Sequence, residues 1–208
     1  MHTLRYLFIA SLLGFLGQAG AHADSTHPTL DTPSRLSLKG FATLGLTRTD
    51  VDEVQYVRDL SQPTGADTAW TAKVDSVVGL QAAYRLGETS EAVVQVQARH
   101  GYDGGHDPEV TWAYLRHDPN PDLSLRLGRL GTEFFMRADS RWVGYANLSV
   151  RPPPDFFDSL VITYLDGFDA TATMQVGDDL LRGKLYAGYA REKTPFIPPY
   201  TWNFDDSL

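Results

Sequence analysis

The sequence predicts an all-β fold: an antiparallel, up-and-down transmembrane β-barrel, present as an incomplete set of about seven strands of a sixteen-stranded barrel. Three observations carry this expectation. Hydropathy alternates with a period of two along most of the chain. The connections between alternating segments are long and short by turns, as in barrels with tight turns at one rim and long loops at the other. The segments run from about 9 to 17 residues; a tilted spanning strand needs roughly 9–11, and soluble strands centre near 5–6.

Composition narrows the classes first. The chain has 208 residues, no cysteine and a formal charge of −8. Zero cysteine removes disulfides, zinc–thiolate sites, iron–sulfur ligation and thiol nucleophiles. A pI near 5.1 argues against a nucleic-acid partner, which selects a basic surface.

The N-terminus comes next in the order of the chain. Arg5 precedes the apolar run Leu7–Gly17, and Ala21-His22-Ala23 supplies small residues at both positions of an A-x-A cleavage site. Eleven residues at about 1.5 Å each cannot cross a ~30 Å hydrocarbon core, so residues 1–23 read as a secretory signal peptide rather than an anchor. Residues 24–34, with Pro28 and Pro33, read as a flexible lead-in, and residues 35–208 as the partial barrel.

Seven strands follow. Leu36–Thr47 opens with apolar even positions. Trp70–Leu86 is the longest alternation, with eight of nine even positions apolar against two of eight odd ones. Ala92–Arg99 comes third. Val110, Trp112 and Tyr114 mark a fourth, Leu123, Leu125 and Leu127 a fifth, Phe168–Val176 a sixth, and Leu181, Leu185, Ala187 and Tyr189 a seventh. Each has one apolar and one polar face. The intervening connections are 50–69, 87–91, 101–109, 118–122, 131–165 and 177–179. A soluble β-sandwich shares the strand period but has no reason for strict loop alternation. Trp70 and Tyr84, fourteen residues apart on one apolar face, match the spacing of two interfacial aromatic girdles, to which Trp112, Tyr114, Phe168 and Tyr189 are also assigned.

From Leu36 to about Lys193 the chain resembles the Gram-negative outer-membrane porin superfamily. The residues that carry the resemblance are Leu38-Lys39-Gly40-Phe41-Ala42-Thr43-Leu44-Gly45 and the turn into Leu125-Arg126-Leu127-Gly128-Arg129. Ser140 through Val143-Gly144-Tyr145-Ala146 to Val150-Arg151-Pro152-Pro153 and Asp166-Gly167-Phe168-Asp169 complete it. The resemblance implies that residues 131–165 fold inward as a constriction loop bearing Glu133, Arg137, Asp139, Arg141, Arg151, Asp155 and Asp158. An ordinary solvated loop is the other reading of that segment. The polar strand faces imply a pore lining of Lys39, Lys73, Asp75, Arg85, Arg99, Arg126, Asp169, Arg182 and Lys184. Seven of these nine are basic, a lining that favours small anionic solutes unless loop carboxylates pair with it.

Other chemistry is weaker. Gly177–Lys184 has the wrong spacing for a phosphate loop, and Asp50, Asp52 and Glu53 lack the rest of a calcium loop. Asp103, His106, Asp107 and Glu109 could ligate a metal, but Gly-Asp-Pro richness is equally turn chemistry. His100 and His117 give no spacing support to a Ser–His nucleophile.

The expectation is therefore an outer-membrane porin, or a truncated porin fragment, for passive diffusion of small hydrophilic solutes. It is not an enzyme, and it has no cofactor, no metal and no nucleic-acid partner. Its partners are outer-membrane lipid and, for a full-length form, two more copies in a homotrimer. The alternative is a periplasmic β-sandwich or lipocalin-like binding module. An odd strand count leaves edges that a finished barrel abolishes, so the chain reads as an N-terminal half. Mass spectrometry of the exported product is expected to find a chain beginning at Asp24; an intact Met1 or a cut elsewhere would refute the leader assignment.

Overall fold

A computed structural model describes residues 9–11, 34–51, 54–133, 138–148, 151–153, 157, 162–177 and 179–192. Its strands, in chain order, are β1 (Ile9–Ser11), β2 (Leu36–Leu46), β3 (Val77–Arg85), β4 (Ser90–Arg99), β5 (Glu109–Asn120), β6 (Leu123–Gly131), β7 (Tyr164–Val176) and β8 (Asp179–Tyr189). They form one antiparallel sheet in which each strand pairs with its sequence neighbours. The short β1, inside the apolar run Leu7–Gly17, pairs with Leu44–Leu46 at the end of β2. Removal of residues 1–23 would leave that edge bare.

The turns explain the hairpins. Gly177 adopts φ +65°, the left-handed conformation a tight β7–β8 turn requires and a residue with a Cβ resists. Between β5 and β6 the Asn120 side chain accepts a hydrogen bond from the Asp122 amide at 3.0 Å, an Asx-type turn. These turns and residues 86–89 lie at one end of the sheet, and the long connections 47–76, 100–108 and 132–163 lie at the other.

The expected assignment of these strands to a transmembrane barrel is corrected. The sheet is open: β1 and β8 stand at opposite edges of the strand order, and no strand among the described residues pairs with the free side of β8. A barrel exists only when its first and last strands meet, because closure is what satisfies the edge amides and carbonyls. In hydrocarbon each unmatched backbone group costs several kcal/mol. The transmembrane barrel, its sixteen-strand count, the outer-membrane location, the lipid partner and the homotrimer therefore do not stand. No helix among the described residues is long and apolar enough to cross a membrane.

Two local expectations also change. The strand read from Trp70 begins only at Val77, because residues 72–75 turn and bury the adjacent Val74 and Asp75. Adjacent residues on a straight strand face opposite sides, so both cannot be buried beneath the same cover. Trp70 lies outside the strand under the Arg48 guanidinium, 5.4 Å from its ring centroid, and the two-girdle spacing goes with it. Trp112 and Tyr114 lie on the polar face instead of the apolar one. Gln95 pairs with Trp112 and Val96 with Val110, so Thr111 is an extra residue that shifts the phase of β5.

The two faces of the sheet are opposite in character. A row of register partners, Leu36, Tyr84, Ala92, Leu115, Leu127, Phe168 and Ala187, crosses β2 to β8 with one apolar residue per strand. Leu36, Tyr84, Leu115, Leu127 and Phe168 in that row are exposed. The other face carries Arg85, Glu91, Arg116, Arg126, Asp169 and Tyr186 across β3 to β8. Described residues of the long connections, among them Arg58, Ser61 and Trp142, lie against this polar face beside Arg99. Burial consequently falls on polar groups: among the described residues fifteen polar or charged ones are buried against seven apolar ones, the latter including Val74, Val77, Val93, Leu130 and Trp142.

Candidate functional site

Charges withdrawn from water must be paired or hydrogen-bonded, and the polar face meets this requirement with two networks. The first joins β6, β7 and β8. Arg126 Nε donates to both Asp169 carboxylate oxygens at 2.9 and 3.0 Å, and its Nη2 also pairs with Asp169. Lys184 lies 3.3 Å from Asp169 and 2.7 Å from Glu133, which Arg126 also reaches at 3.1 Å. Burial disfavours the charged guanidinium, but the Asp169 hydrogen bonds and charge outweigh it and raise Arg126 above its ordinary value. Burial likewise opposes ionisation of Glu133, yet Lys184 and Arg126 hold its carboxyl below the usual range. Beside it, burial and the Glu133 charge push Asp139 up.

The second network ties the loops to the sheet. Asp75 accepts from Thr47 Oγ1 at 2.9 Å, pairs with Arg151 at 2.6 Å and faces Arg58 at 3.6 Å. Arg151 also bonds the Tyr56 hydroxyl. Gly45 makes the approach possible, since a Cβ there would stand 2.5 Å from the Asp75 Cβ. Burial pushes Asp75 upward against the pull of Arg58 and Thr47. Next to it, the guanidinium carbons of Arg58 and Arg99 lie 4.3 and 4.4 Å from the Trp142 ring centroid, with Arg141 at 5.9 Å. These are cation–π distances. Burial pulls Arg141 down to about 10 and lowers Arg58, against the attraction of nearby Asp59 and, for Arg58, Asp75.

Beside this cluster opens a cleft of about 390 Å³. Arg99 and Ser61 line it together with Thr111, Arg129, Tyr164, Arg191 and Glu192, while Asp103, Asp107 and Glu109 add carboxylates from the 100–108 connection and the start of β5. Arg99 is 8 % exposed, donates to Ser61 Oγ at 3.0 Å, and has no carboxylate within ion-pair distance among the described residues. Arg129 differs: it is engaged by Asp166 through two bonds of 2.8 Å and stacks on Tyr164 at 3.7 Å.

The residues expected to line a pore thus divide. Asp75, Arg99, Arg126, Asp169 and Lys184 enter the networks, as do Glu133, Arg141 and Arg151 from the expected constriction loop. Lys39, Arg85 and Arg182 are exposed on strands, and Lys73 is exposed in the turn before β3. Arg137, Asp155 and Asp158 lie outside the described residues. Arg58, Tyr56, Trp142 and Glu192 were not among the expected site residues. The spacing of Arg58 and Asp75 within one connection carries no periodic signal, and only their joint burial reveals the link.

The weaker motifs also have places. Asp103 accepts from the Gly105 amide at 2.9 Å in a turn, and no three metal-ligating side chains gather among the described residues. His100 and His106 approach to 5.4 Å between ring centroids. Strand register brings Ser90 Oγ to 2.9 Å from His117 Nδ1, a contact that spacing did not foretell, on an exposed part of the sheet.

Compared with known proteins, the chain matches no family model and no curated sequence. With the sheet open as well, the porin resemblance is not upheld.

Two outcomes follow from the networks. Asp75→Asn leaves Arg58 and Arg151 facing a neutral amide, and is expected to cost about 3–5 kcal/mol in urea unfolding while exposing residues 47–76 to limited proteolysis. The Arg129 hydrogen bond holds Asp166 below the usual carboxylate range. A depressed folded pKa contributes stability that is complete above the unfolded value near pH 4 and is lost as pH falls through the folded value. Asp166→Asn should therefore destabilise the protein at neutral pH, with the difference from the parent shrinking in acid titration as pH falls from the unfolded value near 4 through the lower folded one.

Proposed function

We propose that this chain is a non-catalytic binding module that takes up a small solute carrying both charges, such as a free amino acid, in the cleft at the loop end of its sheet. The observation that carries the reading is Arg99: a nearly buried guanidinium, stacked on Trp142 and lining a 390 Å³ cleft without a carboxylate partner among the described residues. A planar, permanently charged guanidinium offers paired donors to a carboxylate. Asp103, Asp107 and Glu109 line the same cleft and suit an ammonium group. The volume lies at the small end of ligand sites, which matches a solute of amino-acid size.

The leader supports delivery of such a module outside the cytoplasm, and nothing in the reading calls for a bond to be made or broken. Titration calorimetry with glycine, lysine and glutamate, with acetate and methylamine as single-charge controls, tests the reading. The zwitterions should bind and the single-charge controls should bind more weakly. Arg99→Gln should weaken zwitterion binding by roughly 10–150-fold, the range set by losing a charged hydrogen bond of about 1.5–3 kcal/mol. Absence of binding across the panel, or an Arg99→Gln variant with unchanged affinity, refutes it.

A further inference from the structure

We propose that the apolar face of the sheet docks on the same face of a second copy, forming a two-sheet sandwich with the two covered polar faces outward. This face lies across the strands from Arg99, and only its loop-end residues Val110, Arg129 and Tyr164 also border the cleft. Leu38, Leu80, Val94, Leu115, Leu125, Leu127, Phe168, Met174 and Leu185 are exposed across it. Soluble monomers seldom leave contiguous apolar patches above a few hundred Å². Six interstrand gaps of about 4.8 Å and strands of about nine residues at about 3.3 Å make a face of roughly 850 Å². Two such faces bury roughly 1,700 Å², the size of a stable protein–protein interface.

Charge favours a copy of the chain as the occupant. Arg129 and Asp166 lie at the loop end of the face and pair with each other at 2.8 Å, and Asp179 lies at the opposite turn. The row between those ends is neutral in both copies, so an isologous contact strands no charge in the interface. The open edges argue against hydrocarbon as the cover. Among the described residues no strand pairs with the outer side of β8 (Asp179–Tyr189), and backbone groups left there can be satisfied by water around a sandwich but not by lipid. Face-to-face sheets stack about 10 Å apart with interdigitated side chains, a geometry this row of leucines and small alanines suits.

Sedimentation velocity on the full chain, expressed with its leader, should show a dimer that dissociates on dilution. Leu80→Glu with Leu127→Glu should raise the dimer dissociation constant at least about a hundredfold while circular dichroism retains the strand signal. Because the chain lacks cysteine, Leu127→Cys also permits a single spin label, and facing sheets place two labels within about 20 Å in pulsed dipolar spectroscopy. That measurement decides the matter should the double variant fail to fold. A monomer at all concentrations, open-ended polymers joined through strand edges, or monomers floating with phosphatidylethanolamine–phosphatidylglycerol vesicles would each overturn the proposal.

Discussion

A carboxylate taken out of water has to be repaid with cations and donors, and Asp75 draws them from three parts of the chain. Thr47 comes from the end of β2, Arg58 from the same long connection as Asp75, and Arg151 from the connection between β6 and β7. The Thr47 and Arg151 bonds are 2.9 and 2.6 Å and the carboxylate is shielded, so these loop residues are fixed relative to the sheet. The placement of Trp142, and of Arg99 against it, depends on that anchorage.

The sheet inverts the usual division of a soluble fold. Its buried side is charged and amide-rich, including Gln95, Gln97 and Thr111, where Thr111 donates to the Gln95 side chain at 2.9 Å. Among the described residues its apolar side is exposed. Burial of polar groups gives little net stabilisation per bond, about 1 kcal/mol, although leaving any one unpaired costs more. Such a face is specific about which side chains meet but contributes little to cohesion. Most of the cohesion available to this chain lies in the leucine-rich face, and it is released only when something covers that face.

Strand existence and antiparallel order were legible in the sequence because an alternating face leaves a period of two, as in Leu36–Leu46 and Ser90–Arg99. Loop alternation was legible as well, since short hairpins and long connections fall at opposite ends. Closure was not legible, because alternation describes the two faces of a strand and says nothing of whether the first edge meets the last. Trp112 and Tyr114 were misplaced because one extra residue, Thr111, reverses the parity that assigns faces. In the site, Arg99, Asp75 and Arg126 stood out as charges at polar-face positions. Arg58 and Trp142 did not, since contacts between aperiodic loops leave no pattern along the chain.

The segregation of tight turns to one end of the sheet sets an order on folding. Hairpins such as β3–β4 and β7–β8 join residues close in sequence and close quickly, as low contact order favours. The Asp75–Arg151 contact spans a sequence separation of 76, and its loop-closure cost is met only once the strands between are in place. The meander therefore assembles with its charged face still wet, and loop docking is the last event. For that interval Asp75 and Arg99 stand in water, so the rate of loop docking sets how soon the cleft exists after the strands have paired.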